Sequence, residues 1–476
     1  MRYSITFSLL TTFLISCDTK QEKSVSYFGG EIVNPNSSYV VLYKNDIPVD
    51  SAYLDENNRF LMQLNDVEEG LYNFEHDPEF QYVYIEKGDS IAVRLNMLDF
   101  DESLIFKGRG AEKNNFLIDM FLLSEDEERL VYDYYKLDES AFRSKMDSLL
   151  DMKLEQYRDL ITDYNLSEDA RDMARASIDY AHYISMEIYP YMHKNRNNLD
   201  TIKPLSEDYY AYRATLNDND HRWSYYRPYF NYMITKLNNL SYVHYRKNCK
   251  GSTGIVEKTY HYHIHKLQLI DSLITVSDLK HNLYRNTAYT YLLEEQHPEN
   301  NEAFIARFNM LSDNDEHLDE ISQLYSSIQK LESGRPLPNV FLIDVDGNAV
   351  EMKNIFDKTR KVFYFWSVNQ RNHIKNINRQ IKKLRAKYPC YAFIGITLGD
   401  SLDQEKWLKY INAYHLKGHY QFRAKDSRAL REQLVINNLN KAIIVKADGI
   451  IIDAFSNVYA RDLEDILQVH IANGIQ

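Results

Sequence analysis

Apolar positions change rhythm along the chain. From about residue 25 to 111 they form short separated runs: Val40-Val-Leu-Tyr43, Arg59-Phe-Leu-Met-Gln-Leu64, Leu71-Tyr-Asn-Phe74 and Gln81-Tyr-Val-Tyr-Ile85. Turn formers punctuate them at Asn34-Pro35-Asn36, Asp55-Glu-Asn-Asn58, Glu69-Gly70, Asp77-Pro78 and Lys87-Gly88-Asp89. Short strands so spaced predict a small β-sandwich. From 112 to 332 the period lengthens. Phe116-Leu117-Met120-Phe121, Met146-Leu149-Leu150 and Leu267-Ile270-Leu273-Ile274 recur at helical intervals and predict an α-helical bundle. Gly251-Ser-Thr-Gly254 and His297-Pro-Glu-Asn-Asn301 mark loops within it. Tyrosines alternate with charged residues across 207–213 and 221–232, which suits half-buried helix faces and equally an aromatic recognition surface.

Residues 333–476 mix the two periods. Gly334-Arg-Pro-Leu-Pro-Asn339 reads as a linker, and 340–350 as a strand, an Asp-Gly turn and a returning strand. Lys361-Val-Phe-Tyr-Phe-Trp366 has the composition of a buried strand. It stops at Ser367-Val-Asn369. Ile374, Ile377, Ile381 and Leu384 then recur with Lys and Arg between them, predicting a helix over 371–388. Strands follow at 391–397, 420–422, 441–445 and 450–455, with helices at 402–413, 427–434 and 460–472.

This order resembles the thioredoxin fold in its TlpA-like branch, whose active-site run reads roughly Phe-Trp-x-x-Trp-Cys-x-x-Cys. Phe365-Trp366 match the start of that run, and Gln370-Arg371-Asn372-His373 stand where Cys-x-x-Cys belongs. The resemblance also implies a cis-proline before the strand that ends in Asp-Gly, and Asn440 occupies that place. Without proline a cis bond costs about 2.5–4 kcal/mol, so a trans bond is expected at Asn440. Tyr364 stands where many thioredoxins carry a buried acid. Trp366, Gln370, Arg371, Asn372, His373 and Asn440 are thus the positions of a degenerate redox site, with no catalytic residue assigned. Thiol–disulfide exchange needs one thiolate to attack and a second thiol to resolve. Upstream, Gly88-Asp89-Ser90 with Phe106-Lys-Gly-Arg-Gly-Ala111 and Asn115 resembles the β-domain that precedes thioredoxin-like domains in a group of Gram-negative lipoproteins. There Gly108 and Gly110 are expected to permit tight backbone geometry. Their Gly-x-Gly lacks the rest of a dinucleotide fingerprint.

Residues 1–17 read as a signal peptide. Arg2 precedes an apolar stretch from Ile5 to Ile15 that is too short to span a membrane. Leu14-Ile-Ser-Cys17 resembles a lipobox, which implies cleavage before Cys17 and a lipid on its sulfur. Asp18 to Ser24 would then be a tether. The domains expected are therefore 25–111, 112–332 and 333–476, in a protein held at the cell envelope by Cys17, facing the periplasm or on the outer-membrane surface.

Two cysteines remain, Cys249 and Cys390. Cys390 opens an apolar run and is expected to be buried. Pairing of the two stays open. His261-Tyr-His-Ile-His265 is a weak metal candidate: His261 and His265 lie one helical turn apart, but neither a His-Glu-x-x-His pattern nor a Cys partner accompanies them. No cofactor is expected. A net charge of −13 argues against nucleic-acid binding. The functional readings left are a tethered binding or scaffold module for a protein or peptide partner, an oxidoreductase acting through a non-standard thiol such as Cys390, and an unrelated enzyme whose acids cannot be singled out among the carboxylates.

Overall fold

The computed structural model describes residues 25–248, 260–294, 298–399, 403–416 and 420–472. The chain divides into two compact units. One takes residues up to Val243 together with Ser272–Lys280, and the other takes His244–Asp271 together with residues from His281 onward.

In the first unit the strands are β1 (Ser26–Val33), β2 (Tyr39–Lys44), β3 (Ile47–Tyr53), β4 (Arg59–Leu64), β5 (Gly70–His76), β6 (Glu79–Ile85), β7 (Ser90–Asn96) and β8 (Ile105–Arg109). They form two four-stranded sheets, ordered β4-β1-β7-β8 and β3-β2-β5-β6. Alternate residues of both sheets meet in one core: Phe28 of β1 lies 5.3 Å from Phe74 of β5, ring to ring. This is the expected sandwich, with strands that the hydrophobic pattern did not mark. β1 carries Gly29-Gly30, which weakens a strand signal. The contacts demand them: a Cβ at Gly30 would lie 1.9 Å from the Val93 carbonyl oxygen. β3 is a sheet edge with Pro48 and mostly exposed side chains.

A short helix, α1 (Phe100–Ser103), precedes β8, and α2 (Ala111–Tyr134) starts directly after it. The Gly108–Asn115 stretch is the clamp between sheet and helix. Gly108 and Gly110 both have φ of +94°, and a Cβ on Gly108 would sit 2.1 Å from the Ser90 carbonyl oxygen. Asn114 donates to the Tyr84 carbonyl at 2.9 Å and accepts the Tyr84 N–H at 2.6 Å. Asn115 grips Phe106 of β8 in the same two-way manner, at 2.8 and 3.0 Å. Lys113 is buried and donates to Asp89 at 2.7 Å and to Glu86. The residues that carried the resemblance in this region are structural.

Helices α3 (Glu139–Asp163) and α4 (Glu168–Arg196) pack on α2. Asp138 and Ser167 cap them, accepting the N–H groups of Ala141 and Ala170 at 2.9 and 3.0 Å. Glu187 of α4 is fully buried, and Arg213, Tyr212 and Asn239 all donate to it. Asn239 lies on α5 (Arg227–Asn248). Most tyrosines of the 207–213 and 221–232 stretches pack inward or lie half-buried, as a helix-packing role requires.

Beyond it come α6 (Tyr260–Leu273), α7 (Ser277–Glu294), α8 (Pro298–Leu311) and α9 (Asp315–Lys330). The second unit then builds a seven-stranded sheet from β9 (Phe341–Ile343), β10 (Ala349–Glu351), β11 (Arg360–Ser367), β12 (Tyr391–Leu398), β13 (Gln421–Ala424), β14 (Lys441–Val445) and β15 (Ile451–Asn457). Its order is β10-β9-β13-β12-β11-β14-β15. β11 is central, parallel to β12 and antiparallel to β14. The helices are α10 (Arg371–Lys387), α11 (Gln404–Ala413), α12 (Ser427–Gln433) and α13 (Arg461–Ala472). Ile374, Ile377, Ile381 and Leu384 of α10 are all buried in one cluster with Leu463 and Leu467 of α13. The segment read as a linker is stitched down: Gly334 donates to the Ile451 carbonyl at 2.9 Å and Leu337 to that of Gly449 at 3.0 Å. Its prolines suit an edge segment whose missing N–H groups need no partner. No described helix is long and apolar enough to cross a membrane.

Candidate functional site

β11 runs through the core with every side chain from Lys361 to Ser367 buried. The chain turns at Ser367, whose carbonyl accepts the Gln370 N–H at 3.2 Å, and α10 begins at Arg371. Gln370 is therefore the N-cap, but its side chain makes no capping bond. Gln370 and Asn372 are exposed, and His373 is half-buried in the first helical turn. Asn440 closes the loop before β14, held by its own N–H to Asn438 Oδ1 at 2.9 Å and by the Val458 N–H to its carbonyl at 2.7 Å. Among the described residues the one cis peptide is Asp77–Pro78, so Asn440 is linked in trans.

Two of the degenerate positions meet. His373 Nε2–H donates to Asn440 Oδ1 at 3.2 Å. An amide oxygen can only accept, so with Asn440 in this orientation the bond calls for the proton on Nε2. Burial holds the imidazole below its ordinary pKa, with the Asn440 bond partly offsetting this. Nδ1 then carries a lone pair, is buried, and has no donor among the described residues. Trp366 is not part of this pair. It is in the core, where its Nε1–H donates to Gln421 Oε1 at 3.1 Å, while Gln421 Nε2 donates to the Tyr364 hydroxyl at 2.8 Å. Burial pushes the Tyr364 hydroxyl up to about 12, so it remains a neutral phenol where a proton-transferring acid might have been sought.

His373 and Asn440 open onto a groove of about 490 Å³. Its floor is one face of α10: His373, Asn376, Gln380 and Lys383, with Arg379 beside them. Tyr459 closes the far side, and Gln380 Nε2 ties to the Val458 carbonyl at 3.2 Å. Arg379 and Lys383 bring positive charge, and among the described residues no carboxylate, hydroxyl of serine or threonine, or thiol lines the groove. The groove can hold an anionic or amide-rich segment, and its described lining offers no serine, threonine or cysteine nucleophile for His373 to activate. Sequence reading missed Asn376, Arg379, Gln380, Lys383 and Tyr459. The polar recurrence along α10 was visible, but Tyr459 reaches the groove from a loop distant in sequence.

The remaining candidates are dispersed. Cys390 is exposed, contrary to the expectation of burial. It follows Pro389, just past the end of α10, and directly precedes β12, as the strand expected at 391–397 implies. The 17 residues of α10 at about 1.5 Å each place it roughly 25 Å from the start of that helix. Cys17 and Cys249 lie outside the described residues. His261 is exposed, His263 is buried with its ring 5.2 Å from that of Tyr291, and His265 stacks on His244 at 3.5 Å. The three histidines of α6 thus have different neighbours, and no group of three or more potential ligands able to hold a metal occurs among the described residues.

A thioredoxin-like family model matches residues 357–451. Among solved structures, the thioredoxin domain of a thiol-disulfide oxidoreductase from Bacteroides vulgatus is 21% identical, with 31% of this chain and 99% of that chain covered and a TM-score of 0.25. A thiol-disulfide oxidoreductase from Bacteroides fragilis is 20% identical, with 28% and 99% covered and a TM-score of 0.23. No curated protein matches the chain in sequence. Sheet order, the strand–turn–helix at 361–387 and the family match agree: the C-terminal part of this chain is a thioredoxin-like domain.

Proposed function

We propose that the chain is a membrane-anchored, extracytoplasmic binding module that keeps the thioredoxin-like framework without its dithiol chemistry. The observation that carries this reading is the hydrogen bond between His373 and Asn440. It joins the place of the resolving thiol to the place of the cis-proline, where exchange chemistry requires sulfur and an open platform. The cationic groove beside that bond suits an acidic peptide segment of a protein partner. The anchor in this reading is a lipid on Cys17, supported by the Leu14-Ile-Ser-Cys17 motif after an apolar stretch.

Insulin reduction by dithiothreitol tests the chemistry. The rate with the chain lacking residues 1–17 should equal the rate without protein, and Cys390→Ser should leave it there. A rate well above that control, abolished by Cys390→Ser, would replace this reading with an oxidoreductase acting through Cys390. The exposure of that thiol is the observation favouring the alternative. Against it stands the place of Cys390 past a helix C-terminus, where no N-terminal amides stabilise a thiolate.

A further inference from the structure

Between α2, α3 and α4 lies a cavity of about 360 Å³, within the size range of small-molecule sites. One end is apolar, walled by Val131, Met146, Leu149, Ile188 and Met192. The other end is polar and buried. Lys153 donates to Glu127 Oε2 at 2.6 Å and to Ser124 Oγ at 3.2 Å. Lys153 and Glu127 are 5% and 7% exposed. The second carboxylate oxygen, Glu127 Oε1, is buried and receives no hydrogen bond from any described residue. An unsatisfied acceptor of this kind is costly, so a donor placed there stabilises the site. His182 lines the same cavity and is 6% exposed. Burial, then the charge of Lys153, lower its pKa to about 4, so the ring is neutral and offers one N–H and one lone pair. Its ring packs edge-on against that of Tyr183 at 5.0 Å.

The charges choose among head groups. Lys153 and Glu127 already neutralise each other. Glu128 also lines the cavity, but its side chain is exposed; at the buried end an ammonium head would meet Lys153 and a carboxylate head would meet Glu127, each without a buried counter-ion of its own. A hydroxyl can donate to Glu127 Oε1 while accepting from the His182 N–H. We propose that this cavity binds a small aliphatic alcohol, with its chain among the methionines and branched residues and its hydroxyl between Glu127 and His182. Met146 and Met192 can adjust to chains of differing shape.

Isothermal titration of the chain lacking residues 1–17 with n-hexanol, n-hexylamine and hexanoate tests this. The expected result is saturable, one-site binding of n-hexanol, with the other two at least about tenfold weaker, the margin of a single misplaced polar group. His182→Leu keeps the cavity apolar and removes the imidazole donor, and should remove that preference. Ile188→Phe fills the apolar end and should abolish binding, with circular dichroism reporting whether each variant is folded. Equal binding of all three probes, or no saturable binding of n-hexanol to the unaltered chain, would overturn the proposal without reference to any variant.

Discussion

At Lys441, the first residue of β14, a charge is held where the fold resists it. The side chain is 5% exposed, donates to the Val435 carbonyl at 2.9 Å, and lies 4.2 Å from the centre of the Phe455 ring. Burial pulls its pKa from 10.5 down to about 7, with Asp453 resisting the shift. A lysine with a lowered folded pKa binds its proton more tightly when unfolded. Between about 7 and 10.5 stability therefore rises with pH, and below about 7 the full burial cost is present. Urea titrations at a series of pH values should show this slope, at most about 1.4 kcal/mol per pH unit for one proton, in the parent and not in Lys441→Met. Other groups titrate in that window, so the difference between the two proteins is the quantity to follow. Gly110 makes a second case. Its φ is +94° and a Cβ would meet the Asp89 carboxylate at 2.6 Å. Gly110→Ala should lower stability by roughly 2–5 kcal/mol, seen as a fall in the urea midpoint.

Helix α10 shows how one element serves two tasks. Its apolar stripe fastens it to the sheet, and the neighbouring face lines the groove with His373, Asn376, Gln380 and Lys383. The stripe was legible because burial imposes helical periodicity on sequence. The groove was not, since a polar face reads alike whether it meets solvent or a ligand. Arg379→Glu with Lys383→Glu should leave folding intact, because both side chains are exposed. The pair should weaken binding of a glutamate-rich peptide by about tenfold or more at low salt, and raised salt should erase the difference by screening. Fluorescence anisotropy with a labelled peptide checks this; an unchanged affinity would remove the groove from the binding account.

At the scale of the whole molecule, a lipid on Cys17 would decide where these sites work. Cys17→Ala should move the protein from the membrane pellet to the soluble extracytoplasmic fraction or leave it unprocessed. Unchanged processing and sedimentation would exclude lipidation. The central region also shows how aromatic content is spent: Tyr209, Tyr229 and Tyr232 are at most 1% exposed, so much of the tyrosine excess is helix-packing material.

Periodicity and turn chemistry were enough to read the class of each region. A strand buried on both faces must be continuously apolar, as Lys361–Trp366 nearly is, and a helix on a sheet must show a stripe, as α10 does. That residues 370–373, at the start of this helix, contain no cysteine could be read directly, because residue identity is local information. Strands β1, β3, β7 and β8 escaped notice; in β1 and β8 glycines answer to strands distant in the chain, β3 is an exposed edge with a proline, and β7 has a plain alternating pattern that was passed over. Cys390 was misread because a residue at a strand boundary takes its burial from what packs over it. The pairing of His373 with Asn440, the wall formed by Tyr459, and the meeting of Glu127, Lys153 and His182 around a cavity all depend on side chains from separate elements converging. Local spacing carries no record of such convergence; long-range packing creates it.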